Sequence, residues 1–576
     1  MNTFPWRLRR NYEESPQHII LRLLFTHQPD QVITYTDLLL GSAGYAQAFK
    51  EAGVQPGEVV ILILEHGASL IYSFFGAILH GAVPSIMPFL TEKLSPEQYR
   101  RSLAALFQIT APAAVITYPE FEREVLQSLE STNGSFPSLR CTLLDADISP
   151  ARQIDFAQLD GFQCQEEDIV LLQHSSGTTG LQKGVALSHQ AVMRQLESYS
   201  KAIHLAPEDV IVSWLPLYHD MGLIAGFIMP ILQKIPLVLL SPFDWVRAPY
   251  RLLQAVSQFS GSLTWLPNFA YNFLALKTRD RDLEGVNLSS WRAVINCSEP
   301  MYWKSHQLFL ERFSAYQLKP EALATCYAMA ENVFAVSQGG ILEPVNQDRI
   351  DQRTFFDAHI AEPAQDSRPS LVMLSAGKPI PNTQVRVLDE GNRELPDRHI
   401  GEIAIQSDCM LSGYYHREEV TERSFYDGWY LTGDLGYLAD GEVYITGRKK
   451  DLIIVGGKNV YPQDLENLAG EVKGVYPGRV VAFGLFNETS GTEDVMIIAE
   501  LDSEALQLQE DEPIDEGATA QTANLLADEI RQRVTRGSDI TLRYVKVVPR
   551  GWLLKTSSGK IARSANRDKY LKLINQ

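Results

Sequence analysis

Apolar positions in the first half of the chain follow two alternating rhythms. Thr34–Lys50 has them at helical spacing behind a polar turn, which predicts a helix. Gly57–Leu64 (GEVVILIL) is a short continuous apolar run, as a buried strand requires. Leu70–Gly81 is a strongly apolar helical segment, followed by the strand-like AVPSIMPF. Further β-like runs occur at Ala113–Thr117, Ile169–Gln173, Leu237–Leu240 and Ala293–Asn296. Helical segments such as Gln190–Ala202 and Tyr250–Phe259 lie between them. Strands alternating with helices predict an α/β architecture with largely parallel sheet.

From about Val385 the rhythm shortens to brief strands with turn signals, such as TQVRVLDEGNREL and GEVYITG. A boundary is predicted near Gly447–Lys450, where a strand ends in a charged run before DLIIVGG. Leu508–Ala520 (LQEDEPIDEGATA) is acidic and aperiodic, which predicts a mobile solvated loop. The most apolar stretch, Leu223–Leu240, is broken by Gln233 and Lys234 and carries Pro230 and Pro236. It reads as buried helix and strand, too interrupted to span a bilayer. At 576 residues the chain is too long for one hydrophobic core, so at least two domains are expected.

A net charge of −19 argues against general affinity for nucleic acid or anionic membrane, both of which need basic surface. It leaves room for a local basic patch around an anionic substrate. The five cysteines (Cys141, Cys164, Cys297, Cys326, Cys409) are scattered and form no CxxC pair. That pattern fits a reducing cytoplasm and neither a disulfide framework nor a zinc site. No apolar core follows the basic residues of MNTFPWRLRRNYEESP, so no signal peptide is read and a cytoplasmic location is expected.

The strongest chemical signal is SSGTTGLQKG, Ser175–Gly184, just after the strand-like IVLLQ. Glycines there permit close backbone approach to a triphosphate, and the hydroxyls and Lys183 supply donors and charge. It lacks the GxxxxGK[ST] form of the common nucleotide loop, and a surface turn has a similar composition. In SWLPLYHDMGL, His219 and Asp220 sit among apolar residues, as at the mouth of an apolar pocket or in a satisfied structural pair. Glu331 is an acid inside the apolar run CYAMAENVFA. Its partner is either Mg²⁺ carried with a nucleotide or an Arg or Lys. Asp434, beside a glycine in LTGDLGYL, is placed in a tight turn, either gripping ribose hydroxyls or capping the turn. Lys560, in LKTSSGKIAR, is either a mobile cation or an ordinary surface lysine.

Taken together and in order, SSGTTGLQKG, YAMAE, LTGD, GRKKD and SSGKIAR resemble the adenylate-forming superfamily of acyl-CoA synthetases, peptide-synthetase adenylation domains and luciferases. The resemblance begins at TYTDLL (Thr34) and continues to Arg563. Within the superfamily the chain looks most like the stand-alone fatty acyl-AMP ligases, through WLPLYHDMGLI, PNFAYNF, NCSEPM and NVYPQDLE. It shares with them a long stretch between Glu331 and Ser375, where those ligases carry an insertion thought to restrain the C-terminal domain.

The resemblance implies a large N-terminal domain, residues 1–447, with mixed, largely parallel sheets, and a small mobile α+β domain, residues 451–576, across a hinge at 448–450. It implies ATP and Mg²⁺ as cofactors, a fatty acid as substrate, and an acyl carrier protein in trans or CoA as acceptor. Ser175, Ser176, Gly177, Thr178, Thr179, Gly180 and Lys183 would hold the β- and γ-phosphates. Ser298, Glu299 and Pro300 would border adenine, and Tyr327, Ala328, Met329 and Ala330 would stack on it. Glu331 would help bind Mg²⁺, Asp434 would take the ribose hydroxyls with help from Arg448, and Lys450 would fall at the hinge. Lys560 would reach between the acyl carboxylate and the α-phosphate, with His219 near that carboxylate.

The chain departs from the pattern at Gln182, where proline is usual, and at Ala328, where glycine is usual. IIVGGKNVYP has the Gly-Gly turn favoured by CoA synthetases, so transfer to free CoA stands as the second reading and amino-acid activation as a third.

Overall fold

The computed structural model describes residues 2–88, 96–130, 139, 141–175, 183–366, 368–455, 458–487, 492–502, 516–538, 542–556 and 559–574. Its centre is a nine-stranded sheet. In spatial order the strands are Lys378–Pro379, Ala335–Gly339, Leu323–Ala328, Ala293–Cys297, Leu263–Leu266, Ile211–Ser213, Leu237–Leu240, Ile19–Leu24 and Gln31–Thr34. The six strands from Leu323–Ala328 to Ile19–Leu24 pair in parallel, and the outer ones are antiparallel. A second sheet of Val83–Ile86, Val59–Ile63, Ala114–Thr117 and Cys141–Leu144 is parallel throughout. The parallel α/β expectation holds for both.

Local chemistry accounts for the element boundaries. The helix Tyr35–Glu51 starts at a capping box, in which Thr34 and Asp37 each accept the other's backbone N–H. Such a cap is worth about 1 kcal/mol. It packs closely on the helix Ala68–His80: a Cβ on Gly76 would lie 2.5 Å from the Tyr45 Cβ. The apolar stretch after Asp220 folds as predicted into helix and strand, although its first helical segment, Met221–Ile228, is wound with the wider π spacing.

One hydrophobic core runs from Phe4 to Val443. A second, separate cluster gathers Ile453, Leu465, Ile497, Ile530 and Leu542 between a three-stranded sheet (Val475–Asn487, Thr492–Leu501, Tyr544–Val548) and the helices Pro462–Gly470 and Glu516–Gly537. The loop predicted at Leu508–Ala520 is corrected in part. Residues 516–520 are the first turns of the helix Glu516–Gly537, extended backwards from the buried stripe Leu526, Ile530 and Val534, and 508–515 lie outside the described residues. Among the described residues, no helix is long and apolar enough to cross a membrane.

Candidate functional site

Asp434 lies within the strand Trp429–Ala439 and not in a turn, which corrects the sequence reading. A bulge against the neighbouring strands and Gly433 at φ 71° give the local sequence its turn-like look. The buried carboxylate is held from two sides: Tyr327 Oη donates to Oδ2 at 2.7 Å and Arg448 Nε meets Oδ1 at 3.1 Å. Asp434 and Arg448 are paired directly across the strands, and Tyr327 comes from the C-terminal end of a central parallel strand. Burial, followed by the Asp434 charge, pushes the Tyr327 phenol well above its ordinary value, so it remains a donor. Each carboxylate oxygen can accept further hydrogen bonds, as from a diol.

Glu331 follows the same central strand. Of its two expected partners, no Arg or Lys pairs with it among the described residues; its carboxylate accepts from Tyr414 Oη at 2.8 Å, which in turn lies 2.8 Å from Tyr430 Oη. Burial raises both phenols far above the usual range, keeping the two hydroxyls protonated. The Lys183 ammonium sits 4.4 Å from the centre of the Tyr414 ring, a cation–π contact linking it to Glu331. Ser175 and Lys183, on either side of the glycine-rich segment in the sequence, are strand partners. Ser176, Gly177, Thr178, Thr179 and Gly180 lie outside the described residues, as does Gln182.

His219 and Asp220 stand after the strand Ile211–Ser213, with Nδ1 2.6 Å from Oδ1. The turn is tight enough to require glycine behind it: a Cβ on Gly222 would lie 2.3 Å from the Pro216 carbonyl oxygen. Burial alone would raise the Asp220 carboxyl. The charge and hydrogen bond of His219, then Lys560 and the Met221 N–H, outweigh it and bring the pKa to about 2. Asp220 is therefore ionised at neutral pH.

Lys560 is delivered to this place from the C-terminal segment. Burial lowers its pKa, while the charges of Glu299 and Asp220 favour the ammonium. Its loop is closed by Thr556 N–H donating to the Lys560 carbonyl at 2.7 Å. Arg563 anchors the motif through Asp451 (2.7 Å), Glu466 (2.8 Å) and the Ala482 carbonyl (2.9 Å). Glu299 is itself fixed by the Phe269 N–H at 3.0 Å. Ser298, at φ 67°, turns the chain toward Pro300. Ala328, Met329 and Ala330 run from the strand carrying Tyr327 to Glu331.

The segment that leads to His219 is apolar. Trp214 stacks on Trp245 with ring centres 3.5 Å apart and planes 6° from parallel, and Phe269 and Phe273 close around them. A small pocket of about 20 Å³ is lined by Leu64, His66, Leu70, Met87, Leu217, Tyr218 and Phe243.

The stretch after Glu331 forms a hairpin, Gln347–Asp351 with Ser370–Leu374, joined through the helix Gln352–Ala358. Phe355 packs on Tyr461, ring centres 5.7 Å apart, in a cluster that includes Tyr437 and Tyr444 and reaches Leu452. This insertion therefore touches residues on both sides of 448–450. Lys450 lies exposed in the single turn Lys449–Asp451. Gly456 and Gly457 lie outside the described residues.

Sequence reasoning singles out Glu331, Asp434, Arg448, His219 and Lys560 but misses Tyr414, Tyr430 and the anchoring role of Arg563. The signal for Tyr430 was available: alternation along WYLTGD puts Tyr430, Thr432 and Asp434 on one face of a strand. Tyr414 carries no such signal, because its strand is two residues long. Among the described residues, no three His, Cys, Asp or Glu side chains gather as a metal site.

The profile of the family described as AMP-binding enzyme matches residues 8–415. The chain is 29% identical over 559 residues to a putative fatty-acid–CoA ligase, fadD25, of Mycobacterium tuberculosis, covering 93% of this chain and 91% of that protein. It is 28% identical over 545 residues to the medium-chain-fatty-acid–(acyl-carrier-protein) ligase JamA of Moorena producens, covering 90% and 86% respectively. A solved structure from work on fatty acyl-adenylate ligases of E. coli and L. pneumophila matches with a TM-score of 0.85 at 26% identity, covering 100% of this chain and 98% of that one.

Proposed function

The chain belongs to the AMP-binding enzyme family, and from that premise we propose that it activates a fatty acid as its acyl-adenylate and passes the acyl group to the phosphopantetheine thiol of a carrier protein supplied by another chain. In the first step a carboxylate oxygen of the acid bonds to the α-phosphorus of ATP. The bond from that phosphorus to the bridging oxygen breaks, and pyrophosphate leaves with the electron pair. In the second step the thiol sulfur bonds to the acyl carbon, the thiol gives up its proton and AMP departs.

The observation that carries this reading is that Lys560 lies within reach of the charges of Glu299 and Asp220, the latter paired with His219. A carboxylate approaching a triphosphate is repelled by like charge. An ammonium group at the junction offsets that repulsion and stabilises the charge developing in transfer. Asp434, braced by Tyr327 and Arg448, is suited to hold the ribose hydroxyls. Ser175 to Gly180 with Lys183 hold the phosphates, Ser298, Glu299 and Pro300 border adenine, and Ala328 to Ala330 run beneath it. Glu331 has one oxygen engaged by Tyr414 and the other without a partner among the described residues, which fits a nucleotide-borne Mg²⁺ that takes one carboxylate and several phosphate and water oxygens. When bound, Mg²⁺ would neutralise phosphate charge. Trp214, Trp245, Phe269 and Phe273 favour an apolar acyl group.

Residues 448–450 serve as the hinge between a domain of residues 1–447 and a mobile one of 451–576, so that Lys560 can leave before the thiol arrives. The Phe355–Tyr461 contact supports a restraint on that motion and hence a carrier protein as acceptor. Free CoA is the second reading, favoured by the Gly456-Gly457 pair in the sequence IIVGGKNVYP.

Mass spectrometry of products from ATP, Mg²⁺ and a series of fatty acids, with and without CoA, tests this. Acyl-AMP that accumulates and is untouched by CoA is the expected result. Acyl-CoA formed at a comparable rate would establish the second reading, and no acyl-AMP from any fatty acid would refute the substrate class.

A further inference from the structure

Glu331 leads into a turn that ordinary backbone preferences do not favour. Val333 has φ 62° and ψ −54°, a conformation that a β-branched residue adopts only under constraint. The turn is very tight. Phe334 N–H donates to the Asn332 carbonyl at 2.6 Å, Val333 N–H to the Ala330 carbonyl at 2.9 Å, and Met329 N–H to the Phe334 carbonyl at 2.8 Å. Such strain persists only where the surroundings over-determine it, and it gathers at functional sites.

The constraint comes from a small buried polar cluster beneath the turn. Asn332 Nδ2 donates to the Ala335 carbonyl at 2.7 Å, and Asn332 Oδ1 accepts from Ser407 Oγ. Gln195 Nε2 donates to the Asn332 carbonyl at 2.8 Å and to the Ala335 carbonyl at 3.1 Å. Gln195, Asn332 and Val333 are wholly buried. Three distant parts of the chain therefore converge on one residue: the helix His189–Ala202, the turn itself, and the end of the strand Gly401–Ser407. On the opposite side, the Glu331 carbonyl accepts from Leu411 N–H at 2.8 Å and its carboxylate from Tyr414. Glu331 is thus held between a clamped backbone and a phenol, and the Asn332 amide is the keystone of the clamp.

We propose that Asn332 is a positioning residue for adenylation: its side-chain amide holds the strained Val333 turn and so sets where the Glu331 carboxylate is presented. This rests on the reading that Glu331 faces the nucleotide. Removing the amide lets the turn relax toward ordinary backbone angles and swings Glu331 away, although nothing that touches the nucleotide has been deleted. A glycine at 333 adopts the left-handed side freely, so it needs less clamping.

The test is a double substitution read by ATP binding in the presence of Mg²⁺, using the full-length protein and calorimetry. Asn332→Ala should weaken ATP binding at least tenfold. Val333→Gly alone should lower the melting temperature, because it empties buried space, yet bind ATP within about threefold of the parent. Asn332→Ala with Val333→Gly should recover at least half of the lost affinity on a logarithmic scale while melting lower than either single variant. A purely structural Asn332 predicts the reverse, with two destabilising changes compounding in binding as in melting. Should Asn332→Ala fail to fold, Ser407→Ala removes only the hydroxyl that orients the amide and should raise the KM for ATP severalfold with kcat nearly unchanged. Affinity in the double variant no better than in Asn332→Ala, or a KM unmoved by Ser407→Ala, overturns the clamp. Glu331→Gln is the control for the underlying reading: unchanged ATP binding there would remove Glu331 from the nucleotide site, whereas loss there with Asn332→Ala unaffected would defeat the clamp alone.

Discussion

Residues 2–448 and 451–574 contribute to the candidate site in opposite ways. The first region builds its polar groups into a finished network. Asp434 is bonded by Tyr327 and Arg448, Glu331 by Tyr414, and Asp220 by His219, each within 3.1 Å. The second contributes one cation on a loop fixed to its own segment by Arg563, and Lys560 meets the first region through the charges of Glu299 and Asp220. On the proposed function, the difference separates the parts of the chemistry that are pre-organised from the one that is delivered. A preformed donor set binds at all times, whereas a delivered charge acts only in the step for which its segment is docked.

The largest effect separating the two regions is expected at Lys560. Lys560→Ala should cut the rate of adenylate formation roughly 10²–10³-fold, the scale on which a single pre-aimed electrostatic stabiliser acts. Exchange of labelled pyrophosphate into ATP measures it, and a loss below tenfold would place the delivered charge elsewhere. Next comes Asp434→Ala, which leaves Arg448 and Tyr327 without their partner and should weaken ATP binding about 10- to 100-fold, the scale of one or two charge-assisted hydrogen bonds. Unchanged affinity in calorimetry would break the assignment of the ribose to the preformed side.

A smaller effect concerns the contact between the regions. Phe355→Ala removes the ring packed on Tyr461 and should raise the yield of CoA thioester several-fold if the insertion restrains the C-terminal segment. A yield unchanged by that substitution would count against restraint.

A last contrast lies in the pH dependence of stability, and it has opposite sign in the two regions. Burial lowers the pKa values of His174 and His189 to about 4 and that of His306 to about 3. Unfolded histidine titrates near 6.5, so between that value and 4 the unfolded chain binds protons that the native one refuses. The first region should lose up to about 1.4 kcal/mol per pH unit for each such histidine as pH falls. In the second region, burial and then Glu466 raise Asp464 to about 7. Its stabilisation is present at low pH and fades as pH rises from about 4 to 7. Hydrogen exchange corrected for intrinsic rates should show protection around Ala293–Cys297 falling with acid and protection of Pro462–Gly470 falling with base. Parallel behaviour in both segments would break the contrast.

The same contrast governs what could be read in the sequence. Runs such as Val59–Ile63 and Leu237–Leu240 are buried along their whole length, and continuous apolarity announces that. Asp434, Glu331 and His219 come into view because glycine and polar residues interrupt an apolar run there. What stayed hidden was pairing across long separations. Tyr414 meets Glu331 across 83 positions, and Arg563 meets Glu466 across 97. No local period encodes such contacts. Asp434 was misplaced into a turn for a related reason, since a β-bulge and a tight turn favour the same residues.

The account stands most directly on one measurement: both half-reactions of Lys560→Ala in the same preparation. Supplied with acid and ATP, the variant should make almost no acyl-AMP. Supplied with pre-formed acyl-AMP and a carrier thiol, it should transfer the acyl group within about threefold of the parent, because the delivered cation is needed only for the first step. Equal loss in both half-reactions would contradict the division between a preformed site and a delivered charge.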